Sequence, residues 1–295
     1  MNNPHGPSVL STSTVALAAL ALFGACAGAH DSPKPAAPAE AVATKHKEQV
    51  TQLLESIESG DPGPVSVINP NKLIQHNLTE ADGLAGLGAV LAKLPKGSAR
   101  VHVVRVFADG DFVFTHTEYD FFGPKIGFDI FRFENDQIVE HWDNLQQTPT
   151  ALNPSGRSMT DGPSQVEHPE QTEANKSFVT SFLNEVIIQG KSDKLGDYLQ
   201  PDFHQHNPLE ADGISGLGAF LSAQAAAGTP LKFDTVHAVY GEGEFVLSVS
   251  EGSFAGAHSA FYDLFRIEQG KIAEHWDTIE TILPREQWQN QNGKF

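Results

Sequence analysis

The stretch DIFRFENDQIVEHWD at residues 129–143 decides the fold, because it recurs as DLFRIEQGKIAEHWD at residues 263–277 with nine of 15 positions identical. Upstream, IQHNLTEADGLAGLGAVLAKL at residues 74–94 matches HQHNPLEADGISGLGAFLSAQ at residues 204–224 at twelve of 21 positions. The copies lie 130 residues apart for one block and 134 for the other, a period too long for a solenoid. The sequence therefore predicts one domain present twice.

Both copies have the same order of predicted elements, which indicates an α+β fold. An amphipathic helix, with Val50, Leu53 and Leu54 at helical spacing in the first copy, precedes a polar Gln-His-Asn loop. A second helix follows Ala-Asp-Gly, and three or four strands end the copy, with a hairpin signal at Asp109-Gly110. Helices followed by antiparallel strands are typical of α+β domains. Such a helix lying on a curved sheet leaves a concave pocket between them.

Composition narrows the class of protein. The 295 residues carry a formal charge of −18, and such an acidic surface argues against nucleic-acid binding. No long uncharged apolar run follows residue 30, which excludes a polytopic membrane protein. The single cysteine cannot form an intramolecular disulfide.

The N-terminus predicts an exported protein. No Lys, Arg, Asp or Glu occurs before residue 31, and Val15 to Phe23 is an apolar run of signal-peptide length. The string Phe-Gly-Ala-Cys26 resembles a bacterial lipoprotein signal, which implies lipidation of Cys26 and a periplasmic or outer-membrane-anchored lipoprotein. The alternatives are cleavage after an Ala-x-Ala site, giving a secreted form, or an uncleaved anchor.

The domain boundaries follow from the repeats and from composition. The segment between the copies is rich in Pro, Gly, Ser and Thr, as linkers are. We predict a signal peptide at 1–25, an Ala/Pro-rich tether at 26–44, a first module at 45–149, a linker at 150–169, a second module at 170–284 and a C-terminal tail at 285–295.

The motif order QHN, ADG, GL, then DIFRF and IVEHWD resembles the SnoaL-like polyketide cyclase family, which has the nuclear transport factor 2-like fold. The resemblance implies two tandem cones, each with helices on a curved antiparallel sheet around a pocket. It also implies a cofactor-independent acid/base enzyme that uses an Asp, although many relatives have no known activity. Single-module relatives pair through the outer sheet face, so we expect a monomer containing a pseudo-dimer.

The resemblance gives the acid/base role to Asp129 and its counterpart Asp263. Alternate strand residues share a face, so Asp129 lies beside Phe131, and Asp263 beside Phe265. Burial in an apolar pocket would raise the pKa of such a carboxyl and suit it to proton abstraction next to a carbonyl. The alternative is a buried structural ion pair.

Three histidines complete the candidate catalytic set. His76 and His206 lie in the Gln-His-Asn loops, where they either polarise a substrate carbonyl or only close the mouth of the cone. His116 shares a strand face with Phe114, and the resemblance marks it as pocket-lining. Its counterpart is Val249, so we expect the first module to be the active one if only one is.

The EHWD motif divides its side chains between two faces. His141 and Asp143 share one face, while Glu140 and Trp142 share the other. The expected pocket-lining residues are Phe131, Phe114, His141, Asp143, Phe265, His275 and Asp277. Arg132 falls opposite Asp129, which argues against the Asp-Arg-Asp arrangement of some epoxide hydrolases.

We expect no metal and no cofactor. His204-x-His206 has no partner in the first copy, where Ile74 replaces His204, and no HExxH motif occurs. Two functions stay open. One is acid/base chemistry, an aldol-type cyclisation or isomerisation of a small carbonyl compound. The other is a non-catalytic, lipid-anchored module that binds a small apolar ligand or docks a partner.

Overall fold

The computed structural model describes Met1 and residues 38–295. The predicted signal peptide, Cys26 and most of the tether lie outside the described residues. Residues 38–44, which the sequence assigns to the tether, instead form the start of helix α1. No helix in the described part of the chain combines the length and apolar character needed to cross a membrane.

Each repeat folds into helices followed by strands. The first module contains α1 (Pro38–Ser59), β1 (Ile74–Gln75), α2 (Gly83–Leu91), β2 (Arg100–Asp109), β3 (Phe112–Asp120), β4 (Pro124–Glu134) and β5 (Gln137–Gln147). The second contains α3 (Thr172–Phe182), α4 (Leu195–Tyr198), β6 (Leu199–Gln205), α5 (Gly213–Ala226), β7 (Lys232–Glu242), β8 (Phe245–Phe254), β9 (Ala257–Glu268) and β10 (Lys271–Thr281). A π-helical turn, Leu183–Ile188, continues α3.

The two sheets have the same topology. Their strand orders are β1-β5-β4-β3-β2 and β6-β10-β9-β8-β7. The long strands pair antiparallel, while β1 and β6 each add one parallel strand at an edge. The fold is therefore α+β, with the predicted tandem arrangement of two alike halves.

In each module the amphipathic helix covers the inner face of its own sheet. Helical spacing places Val50, Leu53 and Leu54 on one side of α1, where they join Phe131 and Phe133 in a buried cluster. The second module repeats this packing, with Val179, Phe182 and Leu183 grouped with Phe265 and Ile267. The helices thus close one end of each curved sheet and define the space inside.

The outer faces of the two sheets pack against each other. A cluster of buried residues joins Phe107, Phe114, Phe128 and Ile130 of the first module to Phe245, Leu247, Leu264 and Trp276 of the second. The ring centres of Phe107 and Phe245 lie 4.8 Å apart. Each sheet is therefore buried on both faces, one by its own helices and one by the other module.

The linker packs on the second module, and the C-terminal tail packs on the first module. After the first module, Asn153 donates to the carbonyl oxygen of Gln205 at 2.6 Å. After the second, Asn292 donates to the carbonyl oxygen of Gln75 at 2.9 Å. We call residues 150–169 and 285–295 the two arms. The arms cross between the modules in the same way, so the tail is a packed element.

Candidate active site

A cavity of about 340 Å³ lies inside the first module. Most of its wall is apolar and comes from α1, α2 and the inner sheet face, including Leu53, Leu54, Leu87, Leu91 and Phe131. Polar side chains meet in its lining: Gln75, Asn77, Glu80, Asp129, His141, Asp143 and Glu280. The last of these comes from the second module.

Asp129 lies in the cavity wall, the position that the strand alternation predicts. Its side chain is buried, and its Oδ2 accepts a hydrogen bond of 2.6 Å from the Tyr119 hydroxyl. Its Oδ1 lies 3.3 Å from Nε2 of His141. The carboxylate therefore both faces the cavity and forms an ion pair, which combines the two readings of the sequence.

His141 is held from both sides of its ring. Gln75 Oε1 accepts the hydrogen bond from Nδ1 at 2.9 Å, which leaves Nε2 directed at Asp129. Burial alone would lower the pKa of His141. The hydrogen bond to Asp129 and the negative charges of Asp143, Asp129 and Glu80 outweigh it and raise the pKa. The surrounding carboxylates thus favour protonation of His141.

Asp143 is the neighbouring carboxylate. Its Oδ2 accepts a hydrogen bond of 2.6 Å from Asn77, while its buried Oδ1 has no hydrogen-bond partner among the described residues. Polar atoms of Asp129, His141 and Asp143 lie within 4.8 Å of one another, a spacing that could hold a metal ion. His141 Nε2 and Asp129 Oδ1 already contact each other at 3.3 Å, so an ion pair accounts for the cluster without a metal ion.

Glu80 is a site residue that the sequence analysis missed. Gln75 Nε2 donates to its Oε2 at 2.8 Å. Burial and the negative charges of Asp143 and Asp129 raise its pKa to about 7. At neutral pH the group is therefore available as acid and as base. The repeat could have revealed this residue, because Glu80 in TEADG and Glu210 in LEADG occupy the same place in the two copies.

The second module repeats the cluster around a much smaller space. His275 Nε2 lies 3.1 Å from Asp263, Asn207 donates to Asp277 at 2.7 Å, and burial raises the pKa of Glu210 to about 8. Phe265, His275 and Asp277 line the cavity here, as predicted, but its volume is only about 70 Å³.

Two exchanged residues on neighbouring strands explain part of the difference in volume. Thr115 opposes Asp129 in the sheet and Ser248 opposes Asp263, so Gly252 stands where the first module has Tyr119. By the same register Phe261 stands where the first module has Gly127. In the first module Tyr119 lies beside Gly127, where an added Cβ would come within 3.1 Å of the tyrosine ring. In the second, Phe261 lines the small cavity.

His76 and His206 lie outside the two cavities. His76 stacks on Trp142 at 4.5 Å, and its Nε2 lies 3.0 Å from Glu140. His206 stacks on Trp276 at 4.7 Å and contacts Glu274 at 2.9 Å. Their Nδ1 atoms lie 3.0 and 2.8 Å from main-chain carbonyls of the two arms. These contacts give the loop histidines a structural setting rather than a place in the pocket.

His116 and Phe114 also lie outside the cavity, in contrast to the prediction. Thr115 and Tyr119 of β3 face Asp129, so by alternation His116 and Phe114 face the second module. His116 stacks on Phe128 at 4.3 Å and its Nδ1 lies 3.1 Å from Arg105. Burial and the Arg105 charge lower its pKa well below the usual value, so it is neutral.

The EHWD motif divides its side chains as predicted. His141 and Asp143 line the cavity, while Glu140 and Trp142 are on the other face with Arg132 and His76. Arg132 Nε donates to Glu140 at 2.7 Å across β4 and β5, and Arg266 Nε donates to Glu274 at 2.9 Å. The arginines are therefore outside the cavities, as expected.

In each module the helices and the sheet enclose an acid cluster. Residues 179–275, which lie in the second module, match the model of the SnoaL-like domain family. The first module has the same repeated motifs. No curated protein sequence matches the chain significantly.

Solved structures similar to this chain include three of bacterial origin. TsrD from Streptomyces laurentii is 23% identical over 36% of this chain and 89% of its own, with a TM-score of 0.29. IdmH from Streptomyces antibioticus, described as a putative polyketide cyclase, is 21% identical over 36% and 91%, with a TM-score of 0.30. A putative SnoaL-like polyketide cyclase from Jannaschia sp. CCS1 is 17% identical over 38% and 91%, with a TM-score of 0.32.

Proposed function

We propose that the first module binds a small apolar carbonyl compound in its cavity and moves a proton on it, in an aldol-type cyclisation or an isomerisation. The observation that carries this proposal is Asp129, a buried carboxylate that faces a largely apolar cavity of about 340 Å³. The SnoaL-like family match covers residues 179–275 of the second module, and it supports the proposal through the motifs that the first module repeats.

In the proposed mechanism two carboxyl groups have opposite roles. Asp129, as a carboxylate, accepts the proton from the carbon next to the carbonyl, and that C–H electron pair forms the enol double bond. Glu80, whose pKa is about 7, donates its proton to the carbonyl oxygen. A carboxyl held partly protonated by burial can donate in this way at neutral pH. Where a carbon–carbon double bond is conjugated with the enol, Asp129 returns the proton to the far carbon of the dienol. The enol hydroxyl returns its proton to Glu80 as the carbonyl reforms, and the product is the isomer with a shifted double bond.

Tyr119 and His141 orient the base. Each donates a hydrogen bond to a different oxygen of Asp129, which fixes the plane of the carboxylate. Burial and the adjacent Asp129 raise the pKa of Tyr119 well above its usual value. The hydroxyl therefore stays a donor throughout the reaction.

The experiment follows proton exchange rather than a particular product. The protein is incubated in heavy water with a panel of small cyclic and aromatic ketones, and deuterium uptake next to the carbonyl is followed by NMR. Asp129→Asn should slow exchange at least about 100-fold, the usual scale of general acid–base catalysis. Asp263→Asn, the matched change in the small cavity, should leave exchange unaltered. Equal exchange in the wild type and Asp129→Asn would reject the proposal.

The second candidate function is ligand binding without catalysis. It is favoured by the hydrogen bonds that Tyr119 and His141 already direct at both oxygens of Asp129, since a fully engaged carboxylate is a weaker base. Saturable binding of the ketone panel with no deuterium uptake in any compound would select this function.

Export and anchoring through Cys26 are part of the proposal on sequence grounds alone. The mass of the mature N-terminus, with and without inhibition of lipoprotein processing, tests it. A mature chain that begins with lipidated Cys26 is expected, and an unlipidated N-terminus at another residue contradicts it.

A further inference from the structure

The cavity of the first module contains a side chain from the second. Glu280 of β10 lines it together with Asp143 and Leu145. Glu280 Oε2 accepts hydrogen bonds from the Leu145 main-chain N–H at 3.3 Å and from Lys294 Nζ. Among residues 38–295 no hydrogen-bond donor reaches Oε1, and the Glu280 side chain is 33% exposed, so this oxygen is open to a ligand or to water.

Lys294 is the residue that fixes this carboxylate. Its side chain is 4% exposed, and Nζ also donates to the main-chain oxygen of Asp143 at 2.7 Å. Nζ lies 3.7 Å from the unpartnered Oδ1 of Asp143. The end of the tail thus places a buried cation, the Lys294 ammonium, between the acid cluster and Glu280.

The second module has no such pair in the matching place. The carbonyl of Gly293 faces His76 as that of Ser158 faces His206, so Lys294 corresponds to Met159. Leu145 donates to Glu280 as Ile279 donates to Gln146, at 2.8 Å, so Glu280 corresponds to Gln146. The matching place beside the second module therefore contains a methionine and an amide, Met159 and Gln146, neither of which lines the cavity of about 70 Å³.

The difference between the two modules indicates that the ion pair of Lys294 and Glu280 is not required for packing. Burying the Lys294 cation costs desolvation that an apolar side chain avoids. In the second module the buried Met159 occupies the place of Lys294, and Gln146 still accepts the Ile279 main-chain N–H. The ion pair occurs beside the larger cavity, where the free oxygen of Glu280 can meet a ligand. Stability alone gives no reason to place it there.

We propose that Glu280 contacts the ligand of the first cavity, that Lys294 is its positioning residue, and that the pair selects a carbonyl compound which also carries a hydrogen-bond donor, either a hydroxyl or a protonated amine. This inference rests on the proposed function, because it assumes that the cavity takes a carbonyl compound. The site is then composite and needs both modules and the tail.

The experiment compares two fluorescent probes on the full chain. One is a naphthalene with an acetyl group at one end and a hydroxyl at the other, and the second is its methyl ether, which lacks the donor. The wild type should bind the hydroxyl probe roughly ten-fold more tightly, the usual scale of a hydrogen bond to a charged group. Glu280→Gln with Lys294→Met, which copies the second module, should bring the ratio close to one.

Control variants distinguish a loss of ligand preference from a general loss of packing. Gln146→Glu with Met159→Lys builds the same pair beside the small cavity and should leave the ratio at its wild-type value. Lys294→Arg, which keeps the charge, should retain most of the preference. A general loss of packing lowers both affinities together and does not change their ratio.

The outcomes distinguish the two proposals. If the wild type binds both probes equally, or if the Glu280→Gln, Lys294→Met variant keeps the preference, Glu280 does not select the ligand and this inference is wrong. If neither probe binds, the cavity does not take carbonyl compounds, and the proposed function is rejected with the inference. If the ether binds as tightly as the hydroxyl probe, this inference is rejected but the proposed function is retained.

Discussion

The two copies of the acid cluster differ in the hydroxyl groups that reach the aspartate. Tyr119 donates to Asp129 in the first module, whereas Gly252 leaves Asp263 Oδ2 buried without a partner in the described chain. Thr115 also donates to Asp129 Oδ2, at 3.5 Å, whereas the Ser248 hydroxyl has no partner in the described chain. The contribution of the shorter Tyr119 bond can be measured with the single change Tyr119→Phe. Tyr119 could not be predicted from the repeat, because the matching position of the second module is Gly252.

Tyr119→Phe should lower the free energy of unfolding by about 1–3 kcal/mol at neutral pH, because it leaves one oxygen of a buried carboxylate without its donor. Urea denaturation measures the difference. Tyr262→Phe is the matched control, since the Tyr262 hydroxyl is buried with no hydrogen-bond partner among the described residues, and its removal should cost close to nothing. Equal losses in the two variants would show that the bond to Asp129 contributes no stability.

Glu80 makes stability depend on pH. Its pKa is raised from 4.5 to about 7 in the folded state, so between these values the folded chain holds a proton that the unfolded chain has lost. Stability therefore falls as pH rises from about 4.5 to about 7 and changes little above that from this group.

Glu80→Gln should remove this decline, so that its stability relative to the wild type improves as pH rises through that window. Denaturation midpoints measured across the range give the difference directly. Glu210→Gln should behave alike with an upper limit near pH 8, where the pKa of that group lies. Parallel pH profiles for the wild type and Glu80→Gln would contradict the raised pKa.

At the scale of elements, strand alternation predicts which residues share a face but not which face looks inward. In β4 and β5 the prediction is right, because the acid-bearing rows line the cavity. In β3 it is wrong, since Phe114 and His116 face the other module. Both faces of this sheet are buried, so apolar character does not mark the inner one. Only the packing of two sheets, which needs coordinates, decides it.

The second module has Gly252 and Phe261 where the first has Tyr119 and Gly127. We therefore expect that introducing the residues of the second module would fill the larger cavity of the first. Tyr119→Gly, Gly127→Phe and Leu145→Ile together give the first module the residues found at Gly252, Phe261 and Ile279. The chain should stay folded and lose at least about ten-fold in affinity for the acetylnaphthalene ether, as the ring takes up the cavity. Leu145→Ile alone is the control and should bind normally. Undiminished binding in the triple variant would place the ligand site elsewhere.

At the scale of the whole molecule, the shared core between the sheets couples the two modules. Phe107, Phe114, Phe245 and Trp276 are almost completely buried only because the outer faces meet. The duplication, the element order and the α+β class follow from the repeated motifs. The crossing of the two arms does not, because polar segments rich in Pro, Gly and Asn are also typical of free linkers.

We expect residues 38–295 to unfold in one calorimetric transition and to run as a monomer in gel filtration, since the face through which single modules would pair is already covered. Scanning calorimetry and light scattering check the two statements. A chain with Phe114→Asp, which buries an unpaired charge in the shared core, should lose at least about 3 kcal/mol. Two separate transitions, or a tight dimer, would show that the modules are independent.

Joining the two cones in one polypeptide has a consequence for how they can evolve. In a homodimer of separate chains every substitution appears in both subunits, so a tyrosine gained by one cavity is imposed on the other. Covalent fusion removes that constraint. A mutation can then enlarge the cavity of one module while that of the other becomes small, and the second half of the chain can contribute a carboxylate and a lysine to the larger cavity of the first.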